Sequence, residues 1–168
     1  GLLYDAKVNT LKGFENIDPD NMRSKVDPES SYCLPYAWGA VGIFYNKAEA
    51  GEIKSWDDFF ALPDSGKKIT MLDDLRETIG VALIKNGHSV NTGDSAELKQ
   101  AEAWLLARKD KISAFSYDIV SLVQSGDIAA AHWYVGATLY TLEEPDKLGF
   151  VIPEEGSTMY PGLVRVPG

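Results

Sequence analysis

Apolar positions along the chain follow two alternating spacings. Short runs rich in β-branched and aromatic residues predict strands, and segments with apolar residues three and four positions apart predict helices. The predicted strands cover 67–72, 112–115, 128–135 and 148–152, and the predicted helices cover 55–62, 74–85, 95–109, 118–124 and 137–142. Strands that alternate with helices are typical of an α/β layer with a largely parallel sheet covered on both faces.

The segments that flank this layer have a different pattern. The first thirty residues are rich in turn residues and predict a wrapping loop with a short helix near Asn21. The aromatic run 32–45 predicts a buried strand, or two strands that meet at a hinge. The first residue is not Met, and the run 163–168 predicts a strand with nothing after it. We therefore expect the chain to be a piece of a larger protein.

Composition narrows the class of partner. The chain has 168 residues, 45% of them hydrophobic and 24% charged, which suffices for a globular domain with a buried core. A net charge of -9 argues against nucleic acid or an anionic membrane as partner, and favours cations only weakly. Cys33 is the single cysteine, so no intrachain disulfide can form. No apolar stretch approaches the roughly 18 residues of a membrane span.

Three carboxylates lie where a predicted strand gives way to a predicted helix, at Asp73, Asp74 and Glu77. Helix starts present free N–H groups that usually attract anions, but here acidic side chains already occupy the position. One interpretation is a helix cap, since Asp is a favoured N-cap residue and a Glu three positions later resembles a capping box. The other is a site for a cationic ligand, with Asp73 as the cap and the other two acids facing a cleft.

Catalytic motifs are missing from the sequence. It contains no GxGxxG, Walker A, HExxH, paired CxxC or GxSxG pattern, which argues against the corresponding nucleotide, zinc and hydrolase sites. His88 follows a helix-stop region and is expected to be solvated, and His132 lies in an apolar strand and is expected to be a satisfied core residue. Neither is expected to act in catalysis.

A series of short segments resembles one known family along nearly the whole chain. In order, the segments are NIDPDNM at 16–22, YCLPYAWG at 32–39, GIFYN at 42–46, SWDDF at 55–59, LDDLRE at 72–77, GDI at 126–128, YVG at 134–136 and IPEEG at 152–156. Their order and spacing resemble the second lobe of spermidine/putrescine-type substrate-binding proteins of ABC transporters.

The resemblance implies an α/β fold, one lobe of a type-2 periplasmic-binding-protein-like structure with a mostly parallel central sheet flanked by helices. Residues 1–41 would be a flank from the first lobe with the first hinge strand, 42–152 the second-lobe domain, and 153–168 the returning hinge strand. In this family two lobes close over a ligand and the closed form delivers it to a membrane permease.

The resemblance also implies four ligand-binding residues. Asp74 and Glu77 would pair with a ligand ammonium, and Tyr134 and Tyr160 would supply aromatic faces for its methylenes and charge. Strand alternation sends Trp133 and Tyr134 to opposite faces, so only one of them can line the cleft. Packing within the core is an open alternative for both tyrosines, and it is the expectation for Trp38, Trp56, Trp104 and Trp133.

Two positions depart from the family pattern. Further carboxylates of the family fall on Ala137 and Gly162 in this chain. A linear diamine needs an anion near each cationic end, since a desolvated ammonium without a partner is costly. The other lobe would have to supply the second anion, or the ligand carries one amine, an amidine or a neutral polar end.

The resemblance therefore implies a periplasmic or membrane-anchored extracytoplasmic protein that binds a small amine ligand and hands it to an ABC-transporter permease. It implies no catalysis, no cofactor, no metal and no nucleic acid, and a monomer when the protein is full length. The alternatives are a ligand-sensing ectodomain of a signalling receptor and a carboxylate metal site or enzyme that uses Asp73, Asp74 and Glu77.

Overall fold

The computed structural model describes residues 5, 7–21 and 27–165. They belong to two compact units, one of them Ala40–Thr158 and the other formed by Gly1–Gly39 with Met159–Gly168. Residues 166–168, the end of the predicted last strand 163–168, lie outside the described residues. The division into 1–41, 42–152 and 153–168 as parts of two lobes remains a prediction.

The larger unit is built on a mixed sheet with strand order β3-β2-β4-β1-β5. Its strands are β1 (Cys33–Asn46), β2 (Ile69–Met71), β3 (Ile112–Phe115), β4 (Ala130–Tyr134) and β5 (Leu148–Val151). β2 is parallel to β3 and β4, and β1 runs antiparallel to β4 and β5. Four of these strands, β2 to β5, therefore point the same way, which confirms the predicted α/β class with a mostly parallel sheet.

Helices cover both faces of this sheet. They are α1 (Lys47–Ala50), α2 (Trp56–Ala61), α3 (Leu75–Lys85), α4 (Ser95–Leu106), α5 (Val120–Ser125) and α6 (Thr138–Glu143). On one face, aromatic residues of α2 and Val81 of α3 pack against Ile43, Ile69 and Ala130. On the other face, α5 and α6 cover Phe44 and Ala131. Successive strand residues thus enter opposite cores, as the pleat of a strand requires.

Element bounds differ from the predictions at a few ends. The predicted helix 95–109 ends at Leu106, because Lys109–Lys111 forms a separate 3-10 turn before β3. The predicted helix 118–124 begins at Val120. The run 32–45 is one continuous strand rather than two. Within the part of the chain that the structure describes, no helix is both long and apolar enough to cross a bilayer.

The smaller unit contains short 3-10 turns, the first residues of β1, and β6 (Met159–Arg165), which pairs with β1. The turns are Val8–Thr10, Phe14–Asn16 and Pro19–Asn21. The Asp27 carboxylate accepts hydrogen bonds from the backbone N–H groups of Ser31, Tyr32 and Cys33 and so holds the start of β1. Trp38 is 65% exposed here, so the prediction that it packs into the core is wrong for this chain, whereas Trp56 is fully buried as predicted.

Candidate ligand-binding site

The carboxyl ends of β2, β3 and β4 meet at one edge of the sheet, because these three neighbouring strands run parallel. The residues that follow them include Asp74 after β2 and Tyr117 after β3, and Tyr134 is the last residue of β4. Ligands of α/β proteins commonly bind at such an edge. The topology therefore brings two predicted site residues, Asp74 and Tyr134, to the same place.

Asp74 is the N-cap of α3. Its Oδ1 accepts hydrogen bonds from the backbone N–H groups of Arg76, at 2.9 Å, and Glu77, at 3.1 Å. The prediction that Asp73 is the cap is wrong: Leu72 is fully buried at the end of β2, Asp73 is exposed, and Asp74 has the extended backbone of a cap residue. The second carboxylate oxygen of Asp74 is not used by the cap and faces Tyr117, whose hydroxyl oxygen lies 3.4 Å away.

Glu77 lies in the first turn of α3 and is only 9% exposed. The Thr158 hydroxyl donates a hydrogen bond to its Oε2. The segment that carries Thr158 is itself held on β1, since the Ser157 hydroxyl donates to the Val41 carbonyl at 2.7 Å and the Val41 N–H donates to the Thr158 carbonyl. Glu77 is therefore a buried carboxylate with a defined position rather than a solvated side chain.

Gly80 permits this approach of the Thr158 segment to α3. A Cβ at position 80 would lie 3.1 Å from Thr158 Cγ2, so the Thr158 side chain would have to move by a few tenths of an ångström. A glycine inside a helix normally lowers its stability relative to alanine. Its presence one turn after Glu77 is explained by the close packing that places the Thr158 hydroxyl on the Glu77 carboxylate.

The Tyr117 hydroxyl lies beside Asp74, and the Tyr134 ring lies beside the Tyr117 ring. Burial, and then the charge and hydrogen bond of Tyr117, raise the pKa of Tyr134, and the charges of Asp74 and Glu77 raise it further. The two tyrosine rings are nearly parallel, with an angle of 10° and centroids 6.5 Å apart.

Tyr117 is a site residue that the sequence analysis missed. It carries no motif of its own, but it follows strand β3 as Asp74 follows β2, and that position was the available signal. Its ring also contacts Trp133 edge-on, with centroids 6.3 Å apart. Trp133 is half-buried and packs against the core beneath α5 and α6. Its ring also contacts the Tyr134 ring edge-on, with centroids 5.9 Å apart, so the prediction that strand alternation keeps these two side chains apart is wrong.

His132 lies two residues before Tyr134 on β4 and is fully buried. The prediction that it lies in the core is confirmed, but the prediction that it is satisfied is wrong, because neither ring nitrogen has a hydrogen-bond partner among the described residues. Trp56 packs against the imidazole edge-on, at 5.3 Å between ring centroids. Burial lowers the pKa of His132 to about 3 against the smaller opposing effect of Asp74, so the imidazole is neutral at pH 7.

Tyr160, the fourth predicted site residue, lies on β6 in the smaller unit, where its ring covers Gly39. Its role in binding stays a prediction. Of the two positions that depart from the family pattern, Ala137 is 1% exposed and packs with Phe44 and Ile119. Gly162 lies against the backbone of Ala37, with 3.3 Å between a Cβ at 162 and the Ala37 carbonyl oxygen. Neither position supplies a carboxylate.

The acidic side chains do not assemble a metal site. Among the residues that the structure describes, no group of three or more His, Cys, Asp or Glu side chains could hold a metal ion. Arg76, the cationic side chain nearest in sequence to the two carboxylates, donates a hydrogen bond to Asn91 at 2.5 Å. The geometry offers carboxylate and phenol oxygens to a ligand that donates hydrogen bonds.

A family model matches this chain over residues 1–167, that of the bacterial extracellular solute-binding proteins. A curated relative, the spermidine/putrescine-binding periplasmic protein 1 of Haemophilus influenzae, is 29% identical over 170 residues. That match covers 99% of this chain and 47% of the relative. The chain therefore spans about half the length of this relative.

Two solved structures also match nearly the whole of this chain. The Tp0655 (TpPotD) lipoprotein of Treponema pallidum is 29% identical to this chain with a TM-score of 0.87, and the match covers 99% of this chain and 54% of the other. A putative spermidine/putrescine ABC transporter protein from Listeria monocytogenes is 28% identical with a TM-score of 0.86, over 99% and 52% of the two chains. These similarities extend over the whole of both units described above.

Proposed function

The chain belongs to the bacterial extracellular solute-binding proteins, and on this premise we propose that it binds a small cationic, polyamine-like solute for delivery to an ABC-transporter permease. In this proposal it acts without catalysis and without a cofactor. The relatives named for spermidine and putrescine support the class of ligand, and their description as periplasmic proteins or a lipoprotein supports the predicted extracytoplasmic location. Because the chain spans about half of these relatives, the proposal concerns the complete protein.

The observation that carries the proposal is the pair of carboxylates Asp74 and Glu77 at the carboxyl edge of the sheet. Glu77 is nearly buried, and a charge-assisted hydrogen bond between a buried carboxylate and an ammonium contributes roughly 1.5–3 kcal/mol. The guanidinium of Arg76, in the same turn, donates a hydrogen bond to Asn91. An anionic solute would meet repulsion at this edge.

Binding by this lobe is expected to depend on closure of the complete protein. A ligand that contacts both lobes stabilises the closed state over the open one, and the closed state is the form that a permease can distinguish. Asp74 and Glu77 then supply one end of the binding site. Tyr160 is proposed to contribute from the returning strand.

The test is calorimetric titration of the full-length protein with 1,4-diaminobutane and with spermidine. Glu77→Gln keeps an oxygen for the Thr158 hydroxyl but removes the charge, so we expect affinity to fall at least tenfold with little change in melting temperature. The matched control is Glu97→Gln, at the same position of α4. An unchanged affinity for Glu77→Gln, or an equal loss for Glu97→Gln, would contradict the proposed site.

A further inference from the structure

An apolar groove runs along α4 within the larger unit. Its first half has a volume of about 460 Å³ and is lined by Ile79 of α3 and by Leu98, Glu102, Leu105 and Leu106 of α4. Its second half has a volume of about 240 Å³ and is lined by Thr78, Leu105, Leu106, Lys109, Ile112 and Phe115. Leu105 and Leu106 line both halves, so they form the middle of the groove.

Large apolar side chains of the groove are exposed to solvent. Leu106 is 63% exposed in the middle, and Leu98 and Phe115 are 40% and 46% exposed in the two halves. Phe115 belongs to β3, which ends the strand order of the sheet. Single exposed apolar residues are normal, but several along one groove are typical of a protein–protein interface.

The two halves of the groove carry opposite charges, Glu102 in the first and Lys109 in the second. Within the part of the chain that the structure describes, neither side chain forms an ion pair. The cations beside Lys109 are engaged elsewhere. Arg108 lies over the ring of a tryptophan one turn earlier, 3.9 Å from its centroid, and Lys111 pairs with Asp64 at 2.7 Å. Glu102 and Lys109 are therefore available to a partner.

The charges of the groove are self-complementary. Glu102 lies three residues before Leu105, and Lys109 lies three residues after Leu106. A second copy related by a two-fold axis through the middle of the groove presents the same patch in the opposite direction. Its Lys109 then lies opposite Glu102 and its Glu102 opposite Lys109, while the exposed leucines of the two copies pack against each other.

We propose that this groove is the interface of a homodimer of the complete protein, in which the ends of α4 from two copies cross antiparallel at Leu105 and Leu106. The apolar middle supplies the buried surface, and the two Glu102–Lys109 pairs set the direction of the crossing. This differs from the monomer that the family resemblance implies. It does not depend on the ligand, since the groove lies outside the proposed ligand-binding residues.

Sedimentation velocity of the full-length protein over about a hundredfold range of concentration should show a monomer–dimer equilibrium. Glu102→Lys and Lys109→Glu each bring like charges together at both ends of the interface, so each should raise the dissociation constant of the dimer about tenfold or more. An equimolar mixture of the two variants, and the double variant Glu102→Lys/Lys109→Glu, should recover the dimer, because opposite charges face each other again.

Glu143→Lys is the matched control, because it makes the same change of net charge on α6, which covers the other face of the sheet, and it should leave the dissociation constant unchanged. The proposal is overturned if the full-length protein is monomeric at every concentration, or if mixing the two variants does not recover the dimer. A monomeric protein whose melting temperature falls in Leu106→Ser would also overturn it, since another part of the complete protein would then cover the groove.

Discussion

The first turns of α3 and α4 have the same local chemistry in two different surroundings. Asp74 and Asp94 both cap their helices through Oδ1, which accepts the backbone N–H groups of the second and third helical residues. The third helical residue is a glutamate in both, Glu77 and Glu97. Judged by the sequence of the turn alone, the two helix starts are equivalent.

The two helix starts differ in what surrounds them. α3 follows strand β2, whose neighbours β3 and β4 end at the same edge, so Asp74 meets Tyr117 and Glu77 is buried on Thr158. α4 follows the loop after α3, where Asp94 is exposed and Glu97 lies 3.4 Å from His88 at the surface. A capping motif therefore becomes a candidate binding site through the parallel topology around it and not through its own residues.

The buried histidine beside α3 gives the largest expected effect. The pKa of His132 is about 3 in the folded protein and about 6.5 in the unfolded chain. Above pH 6.5 the imidazole is neutral in both states, so its burial takes nothing from the free energy of unfolding. As the pH falls below 6.5, only the unfolded state takes up the proton, and the free energy of unfolding decreases by about 1.4 kcal/mol per pH unit until about pH 3. The expected loss at pH 4 is on the order of 3 kcal/mol.

Urea denaturation of the full-length protein and of His132→Met at pH 7 and pH 4 measures this loss. The variant keeps a buried apolar side chain of similar size and removes the titration, while the carboxylates common to both proteins cancel in the difference. We expect the unchanged protein to lose more stability than the variant on acidification. If the two proteins differ in free energy of unfolding by the same amount at pH 7 and at pH 4, His132 is protonated in the folded state at pH 4 or is not buried.

The second effect compares ligand affinity at the two caps. Asparagine caps helices as well as aspartate does, so Asp74→Asn and Asp94→Asn should both leave the helices intact. Calorimetric titration with 1,4-diaminobutane should show a loss of about tenfold or more for Asp74→Asn and no loss for Asp94→Asn. Equal losses would mean that the net charge of -9, rather than the position of Asp74, attracts the cation.

The sequence sufficed for elements with strong local signals at both ends. The bounds of α3 agree with the predicted 74–85 to within one residue, because a capping acid precedes it and Gly87, with φ of 75°, follows it. The end of α4 was placed three residues too late, since the stretch after Leu106 contains no such stop and turns into a 3-10 segment.

The site was predictable only in part. Asp74 and Glu77 were suggested by the acidic turn at a strand end and then by the resemblance, and Tyr134 by the resemblance alone. Tyr117 has no such motif, and its position depends on which strand lies beside β2, a non-local property. The choice between Asp73 and Asp74 as cap likewise depends on Leu72 entering the core, which sets where α3 can begin. The burial of His132 without hydrogen-bond partners among the described residues depends on Trp56, which packs against it from α2, and a non-local contact of this kind leaves no local signal in the sequence.

The smallest expected effect concerns the property that the two helix starts share. Asp74→Ala and Asp94→Ala each remove a side chain that accepts two backbone N–H groups, and the loss of such a cap costs about 1 kcal/mol of unfolding free energy. Urea denaturation at pH 7 should give similar losses for the two variants, because the 3.4 Å contact between Tyr117 and Asp74 is too long and too exposed to stabilise the fold appreciably. A much larger loss for Asp74→Ala would mean that this contact supports the fold as well as the ligand, and the local equivalence of the two caps would then not hold.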